Sequence, residues 1–302
     1  MQLPESVASR IKGRILYGEP LKNYTTWRIG GPAEVLVEPA SREDVAAILA
    51  FVQEKGLPVT VIGNGSNLLV SDRGVKGVVV RIGEALGRVR IAEERIVAES
   101  GAKLGRVAAI AQAAGLAGLE FSVGIPATIG GAVTMNAGAN GASMADVVEA
   151  VRIIDYTRGE RILDREELDF RYRWSRLQEL QAVGVEVVLK LTPGDPLEIK
   201  RRGERHLQKR RLTQPLEFPS AGSVFKNPPG DAAGRLIELA GAKGLRVGDA
   251  MVSERHANFI INLGNAGAQD VWRLIRRVQE MVWSKFGVGL DLEVKVLGED
   301  FV

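Results

Sequence analysis

Apolar positions along the chain recur at two periods. Val45, Ile48, Leu49 and Val52 fall at helical spacing, Ser41 with Asp44 three residues on resembles a capping box that opens the run, and Gly56 closes it. The same spacing returns in Leu104, Val107, Ala108 and Ala111, stopped by Gly115, and helices are also predicted over 231–240 and 271–286, each followed by glycine. Short β-branched or alternating runs at 58–62, 77–82, 95–98, 185–191, 258–262 and 290–297 predict strands. Residues 151–156 and 161–163 flank Thr157-Arg158-Gly159-Glu160 as a hairpin.

Helix and strand signals alternate from end to end, which makes an α+β chain with α/β-type subdomains the expected class. A chain of 302 residues exceeds one typical core, and 45% hydrophobic content supplies ordinary globular interiors. The breaks fall near 82 and 197, giving units 1–82, 83–197 and 198–302. The third opens with residues 198–211, a basic helical stretch read as a connector with a solvated face. No internal repeat and no low-complexity tract is visible.

Charge and residue usage narrow the chemistry. Formal net charge is +3, too small a surplus to argue for a nucleic-acid or membrane partner, and the basic stretch has no interleaved aromatic residues. With no cysteine, disulfides, thiolate catalysis and iron–sulfur ligation are excluded, and two histidines make a metal site an unfavoured reading. The start MQLPESVASRIKGRI lacks a continuous apolar core, so a cytoplasmic protein is expected.

The densest chemical signal is residues 122–141, SVGIPATIGGAVTMNAGANG, rich in glycine and small residues and free of charge. Such a segment lets main-chain amides converge on an anion, and Gly63-Asn64-Gly65-Ser66-Asn67 forms a second neutral cradle of the same kind. Two cradles point to one extended dinucleotide. No P-loop is present, and the dinucleotide fingerprint lacks its third glycine at Leu68 and is followed by a strand-like run, so neither a mononucleotide kinase nor a Rossmann domain is indicated.

Five segments together resemble the UDP-N-acetylenolpyruvoylglucosamine reductase family: NYTTWRIGGPAEVLVEP (23–39), VIGNGSNLLV (61–70), GIPATIGGAVTMNAGANG (124–141), SAGSVFKNP (220–228), and ERHANFIIN (254–262) with LEVKVLG (292–298). The resemblance spans nearly the whole chain in family order. It implies a two-subdomain, vanillyl-alcohol-oxidase-like FAD-binding fold over 1–82 and 83–197 and a C-terminal α+β substrate-binding domain over 198–302. Non-covalent FAD would lie between the first two subdomains with its N5 facing the third, and NADPH and the enolpyruvyl UDP-sugar would be co-substrate and substrate in peptidoglycan precursor synthesis. The cofactor contacts it implies are Gly63, Asn64, Gly65, Ser66, Asn67, Gly124, Thr128, Gly130, Gly131 and Asn136.

The resemblance also implies the reacting groups. Ser223 matches the family's proton-donating serine, with Lys226 a candidate relay to it. Arg173 matches an arginine whose fork grips the substrate carboxylate, with Arg171 as its control. Glu293 matches a C-terminal glutamate; a raised pKa would let it donate a hydrogen bond, and Lys295 shares its strand face. Lys226, His256 and Asn258 are expected in the substrate pocket. Relatives commonly carry arginine where Lys295 stands, and the chain matches the shorter branch without the tyrosine loop. The oligomeric state is open, with a monomer favoured. Two rival readings stand beside it: an oxidase or dehydrogenase of small alcohols on the same flavin fold, and a nucleic-acid module led by residues 198–211.

Overall fold

The computed structural model describes residues 1–299 and 301. By contact density the chain forms two compact units. The first comprises Met1–Tyr17, Val35–Asn64 and Gly77–Lys209; the second comprises Gly18–Glu34, Gly65–Lys76 and Arg210–Val302.

The first unit has two hydrophobic clusters. One packs Val35, Val37, Val78 and Val80 against the apolar stripe of the helix Arg42–Lys55, whose Val45, Ile48, Leu49 and Val52 are buried. That helix forms where the spacing puts it, with Gly56 left-handed at its end. The expected capping box is rearranged: the Ser41 hydroxyl accepts the Asp44 N–H at 3.3 Å, but the Asp44 carboxylate accepts N–H groups of Lys12, Gly13 and Ala40 instead of returning to Ser41. The bonds from Lys12 and Gly13 tie the N-terminal segment to the helix start. Strands lie in the order Arg14–Pro20, Pro32–Glu38, Val75–Arg81, Val59–Ile62, with the last two parallel.

The second cluster lies beneath a five-stranded sheet in the order Gly159–Asp164, Val148–Asp155, Ala182–Lys190, Arg95–Glu99, Val89–Ala92, in which every neighbouring pair is antiparallel. Val148–Asp155 and Gly159–Asp164 form the expected hairpin. The strand Ala182–Lys190 alternates buried and less buried positions, and the helix Leu104–Ala113 buries Leu104, Val107, Ala108 and Ala111.

The second unit has one core, built on a four-stranded sheet ordered Ser220–Ser223, Phe259–Asn262, Ala250–Val252, Arg246–Val247. Helix Ala268–Phe286 packs its stripe of Val271, Leu274, Ile275, Val278 and Val282 into that core, and the Asp72 carboxylate accepts the Ala268 and Gln269 N–H groups at its first turn, where the helix dipole favours an anion. Trp27 is fully buried here; its indole N–H donates to the Ile260 carbonyl at 2.9 Å, and the Asn262 amide donates back to the Trp27 carbonyl at 3.0 Å. The parallel pair Leu68–Val70 and Lys295–Leu297 completes this unit.

The basic stretch is helical over Pro196–Thr213, burying Ile199 and Gly203 and exposing most of its charge, with Arg201 paired to Glu198 and Arg202 to Glu120. No described helix is long and apolar enough to cross a membrane.

Candidate functional site

In the first unit the two glycine cradles meet. The Asn64 side-chain amide donates to the Pro126 carbonyl at 2.7 Å, and a Cβ on Gly63 would overlap the Thr128 hydroxyl. Thr128 caps the short helix Ile129–Thr134, its hydroxyl accepting the Gly131 N–H at 3.4 Å. Gly130 lies so close to the end of strand Arg95–Glu99 that a Cβ there would fall 2.7 Å from the Ser100 Cβ. Gly124 is left-handed. Glycine at 63 and 130 therefore answers to close approach of main chain.

These cradles suit a dinucleotide's pyrophosphate. Among the described residues, the backbone N–H groups of Gly63, Asn64, Gly124 and Thr128 in the first unit donate to no protein group, nor do those of Gly65, Ser66 and Asn67 in the second. Unpaired backbone donors need an external acceptor, and neutral ones hold an anion without burying a lysine. The Ser100 hydroxyl, buried and without a hydrogen-bond partner, is a further polar atom beside Gly130. Nothing local in the sequence marked it.

Asn136 and Arg173 come together in the same unit. The Asn136 amide donates to the Arg171 carbonyl at 2.8 Å and its oxygen accepts the Ala145 N–H at 3.0 Å, so one donor and one acceptor are committed to protein. Arg171 and Trp174 exchange backbone bonds across a tight turn that puts Arg173 in the left-handed region, φ 56°. Ser175 and Gln178 side chains rivet this turn to the Thr134 carbonyl at the helix end. A non-glycine residue held there stores strain that the rivets maintain. The two arginines differ in kind: Arg171 pairs with Asp169 and lies over the Trp174 ring, whereas the Arg173 guanidinium lies over Tyr172.

The second unit assembles the remaining groups. Pairing between Ser220–Ser223 and Phe259–Asn262 is interrupted by a bulge, with Gly222 at φ 76°, and resumes at Ser223 opposite Phe259. Such a bulge re-aims the side chain that follows it. Beyond Ser223 the chain runs antiparallel to residues 291–293: the Glu293 N–H donates to the Val224 carbonyl at 2.8 Å, the Lys226 N–H to the Asp291 carbonyl at 2.8 Å, and Phe225 bridges Leu292. Ser223, Lys226, Glu293 and Lys295 thus belong to two stitched segments. Loss of solvation, then the neighbouring Lys226 charge, pushes the Lys295 ammonium below the ordinary lysine range.

Asn258 sits behind this run. Its carboxamide embraces the Phe225 peptide, accepting its N–H at 2.9 Å and donating to its carbonyl at 2.8 Å, while the Asn258 carbonyl accepts the Val224 N–H. His256 lies against Phe259, ring centroids 4.7 Å apart, and its Nδ1 accepts the Asn258 N–H at 3.3 Å. Burial holds this imidazole below its ordinary pKa, with Lys243 adding in the same direction.

Comparison with known proteins sets this geometry in context. Residues 33–163 match the family described as FAD binding domain, and residues 214–297 match the UDP-N-acetylenolpyruvoylglucosamine reductase, C-terminal domain. The chain is 50% identical over 289 residues to the UDP-N-acetylenolpyruvoylglucosamine reductase of Moorella thermoacetica, covering 96% of this chain and 95% of that one. It belongs to the UDP-N-acetylenolpyruvoylglucosamine reductase family. Membership makes it an FAD-containing oxidoreductase. The reductase of Desulforamulus reducens is 46% identical over 99% of this chain and 98% of its own. The crystal structure of UDP-N-acetylenolpyruvylglucosamine reductase (MurB) from Thermus caldophilus superposes with a TM-score of 0.81 at 42% identity, covering 95% of this chain and all of that one. A solvent-stable cholesterol oxidase, 15% identical with a TM-score of 0.51 over 64% of this chain and 40% of its own, shares the fold alone.

Proposed function

We propose that the protein is an NADPH-dependent reductase of the enolpyruvyl group of UDP-N-acetylglucosamine enolpyruvate, forming UDP-N-acetylmuramate. What supports the reading is the stitching of the Val224–Lys226 run to residues 291–293, the segment that carries Glu293 and leads into Lys295, beside similarity along nearly the whole chain to reductases of that name. FAD would be held non-covalently by the backbone donors of the two cradles, at Gly63, Asn64, Gly65, Ser66, Asn67, Gly124 and Thr128, with Gly130, Gly131 and Asn136 shaping the loops. When bound, FAD would supply the hydride chemistry that links NADPH to the vinyl group of the substrate.

The chain's own residues supply the rest. Reduction of the vinyl group leaves negative charge spread from the adjacent carbon into the carboxylate, and that carbon then needs a proton. Ser223 donates it. A serine hydroxyl has no pKa near neutrality, so the ammonium of Lys226 stabilises the oxygen left behind. The Arg173 fork binds the carboxylate as its charge grows, and Glu293 fixes the enolate end. Burial and then the Lys226 charge both disfavour the charged form of Lys295, and an anion joining the two lysines would relieve that repulsion. A carboxylate or diphosphate of the substrate is such an anion. Asn258 and His256 shape the substrate site behind these groups.

In this division of labour residues 1–82 and 83–197 bind the cofactor and 198–302 bind the sugar nucleotide. A monomer working in the cytoplasm, where NADPH and UDP-sugars are made, fits the reading, with no nucleic-acid or membrane partner. The test is NADPH oxidation with and without the enolpyruvyl UDP-sugar, run both under anaerobic conditions and in air. Consumption must depend on the sugar nucleotide; consumption that needs oxygen and ignores the sugar points to an oxidase of the same fold.

A further inference from the structure

Asn67 makes two contacts of unequal origin. Its backbone carbonyl accepts the Lys295 N–H at 2.9 Å, where the parallel pairing of Leu68–Val70 with Lys295–Leu297 begins. Its side-chain amide reaches further and donates to the Glu293 carbonyl at 3.0 Å. Because a carbonyl can only accept, that bond fixes which end of the carboxamide faces the strand. The side chain therefore takes over where the backbone ladder stops and continues it towards Glu293.

The consequence falls on the Glu293 peptide. Its N–H is tied to Val224, next to Ser223, and its carbonyl is tied to Asn67. With both flanks fixed, the direction in which the Cα–Cβ bond leaves the strand is fixed too, and the arc open to the carboxyl group is narrowed. Loss of the Asn67 donor frees one flank. Lys295, two residues on, keeps its backbone bond and would not follow.

We propose that Asn67 is a positioning residue for Glu293, acting through the strand that presents the carboxyl group, in addition to its backbone's place in the glycine-rich cradle. The inference rests on the reading of Glu293 as a reacting group. A cofactor contact made by the Asn67 backbone requires no such bond, so the side chain's reach to the C-terminal strand is a separate feature.

The test uses the flavin-loaded protein, reduced with dithionite so that NADPH plays no part, and follows flavin reoxidation on rapid mixing with the enolpyruvyl UDP-sugar. Asn67→Asp keeps the shape and loses the N–H donor; Asn67→Ala removes the group. Both are expected to slow reoxidation at saturating sugar by roughly ten- to hundredfold, the range a small misplacement of a reacting group produces, with half-saturation and flavin content little changed. In a Glu293→Gln background the Asn67→Asp change is expected to add less than about threefold, because the group it positions is already lost. Effects that multiply would overturn the proposal, and so would a slow rate that excess FAD restores. Full-speed reoxidation by Glu293→Gln alone would instead overturn the reading of Glu293, an outcome visible without touching Asn67.

Discussion

Replacing Asn258 with alanine separates a structural clamp from a substrate ligand. Asn258 is 3% exposed and Phe225 1% exposed, so neither has ready access to water. The substitution strips the partners from two buried backbone groups, the Phe225 N–H and carbonyl. Each costs about 1–3 kcal/mol when left unpaired, which sums to ~2–6 kcal/mol before relaxation. The backbone bond from Val224 to the Asn258 carbonyl survives in alanine and limits how far the strands separate, so ~2–4 kcal/mol is the expected net loss. Asn258→Asp keeps the acceptor for the Phe225 N–H but turns an oxygen towards the Phe225 carbonyl, and is expected to be no milder at neutral pH. Urea unfolding followed by tryptophan fluorescence reads the affected unit, because Trp27, Trp272 and Trp283 belong to it. Sugar-dependent flavin reoxidation should slow as well, since Ser223 is two residues from the clamped peptide. A loss below about 1 kcal/mol combined with a raised KM for the UDP-sugar would refute the clamp and return Asn258 to direct substrate contact.

Other changes carry equally definite outcomes. Gly130→Ala puts a methyl 2.7 Å from the Ser100 Cβ and Gly63→Ala drives one into the Thr128 hydroxyl; each is expected to cost about 1–3 kcal/mol and to lower the flavin-to-protein absorbance ratio of the purified protein. Arg173→Gly should relieve a left-handed side chain, raising stability by up to about 1–2 kcal/mol while abolishing sugar-dependent reoxidation. Arg171→Ala, which loses an exposed ion pair to Asp169, should change stability by under about 1 kcal/mol and leave turnover in place. His256, held by burial below its ordinary value of 6.5, binds a proton more readily when the chain is unfolded, so its contribution is intact above that value and is lost as pH falls through the lower folded one. Urea unfolding of wild type and His256→Gln at neutral and mildly acidic pH should therefore show a steeper acid loss in the wild type.

Much of this was legible in the sequence where local chemistry decides structure. The helix Arg42–Lys55 announced itself through a cap, an apolar stripe and a terminal glycine, and the hairpin around Gly159 through alternation and a turn. The class of fold and the family followed from separated motifs. Long-range pairing was not legible. Nothing in residues 68–70 names 295–297 as their parallel partner, and the expected strand over 290–297 is regular only at Lys295–Leu297, because residues 291–293 are instead engaged by Val224, Phe225 and Lys226. The same limit hid what Asn67, Asn136 and Asn258 do. A carboxamide in a motif looks alike whether it faces a ligand or spans two backbone groups, and the difference lies in which peptide the fold brings opposite it.

The central claim is that Ser223 delivers the proton that completes reduction of the enolpyruvyl group. Its direct measurement is anaerobic rapid mixing of flavin-loaded Ser223→Ala first with NADPH and then with the enolpyruvyl UDP-sugar. Flavin should bleach at close to the wild-type rate in the first mix, and colour recovery in the second should slow by a factor of about 10²–10⁴, the usual worth of a positioned proton donor. Colour returning at the wild-type rate would contradict it.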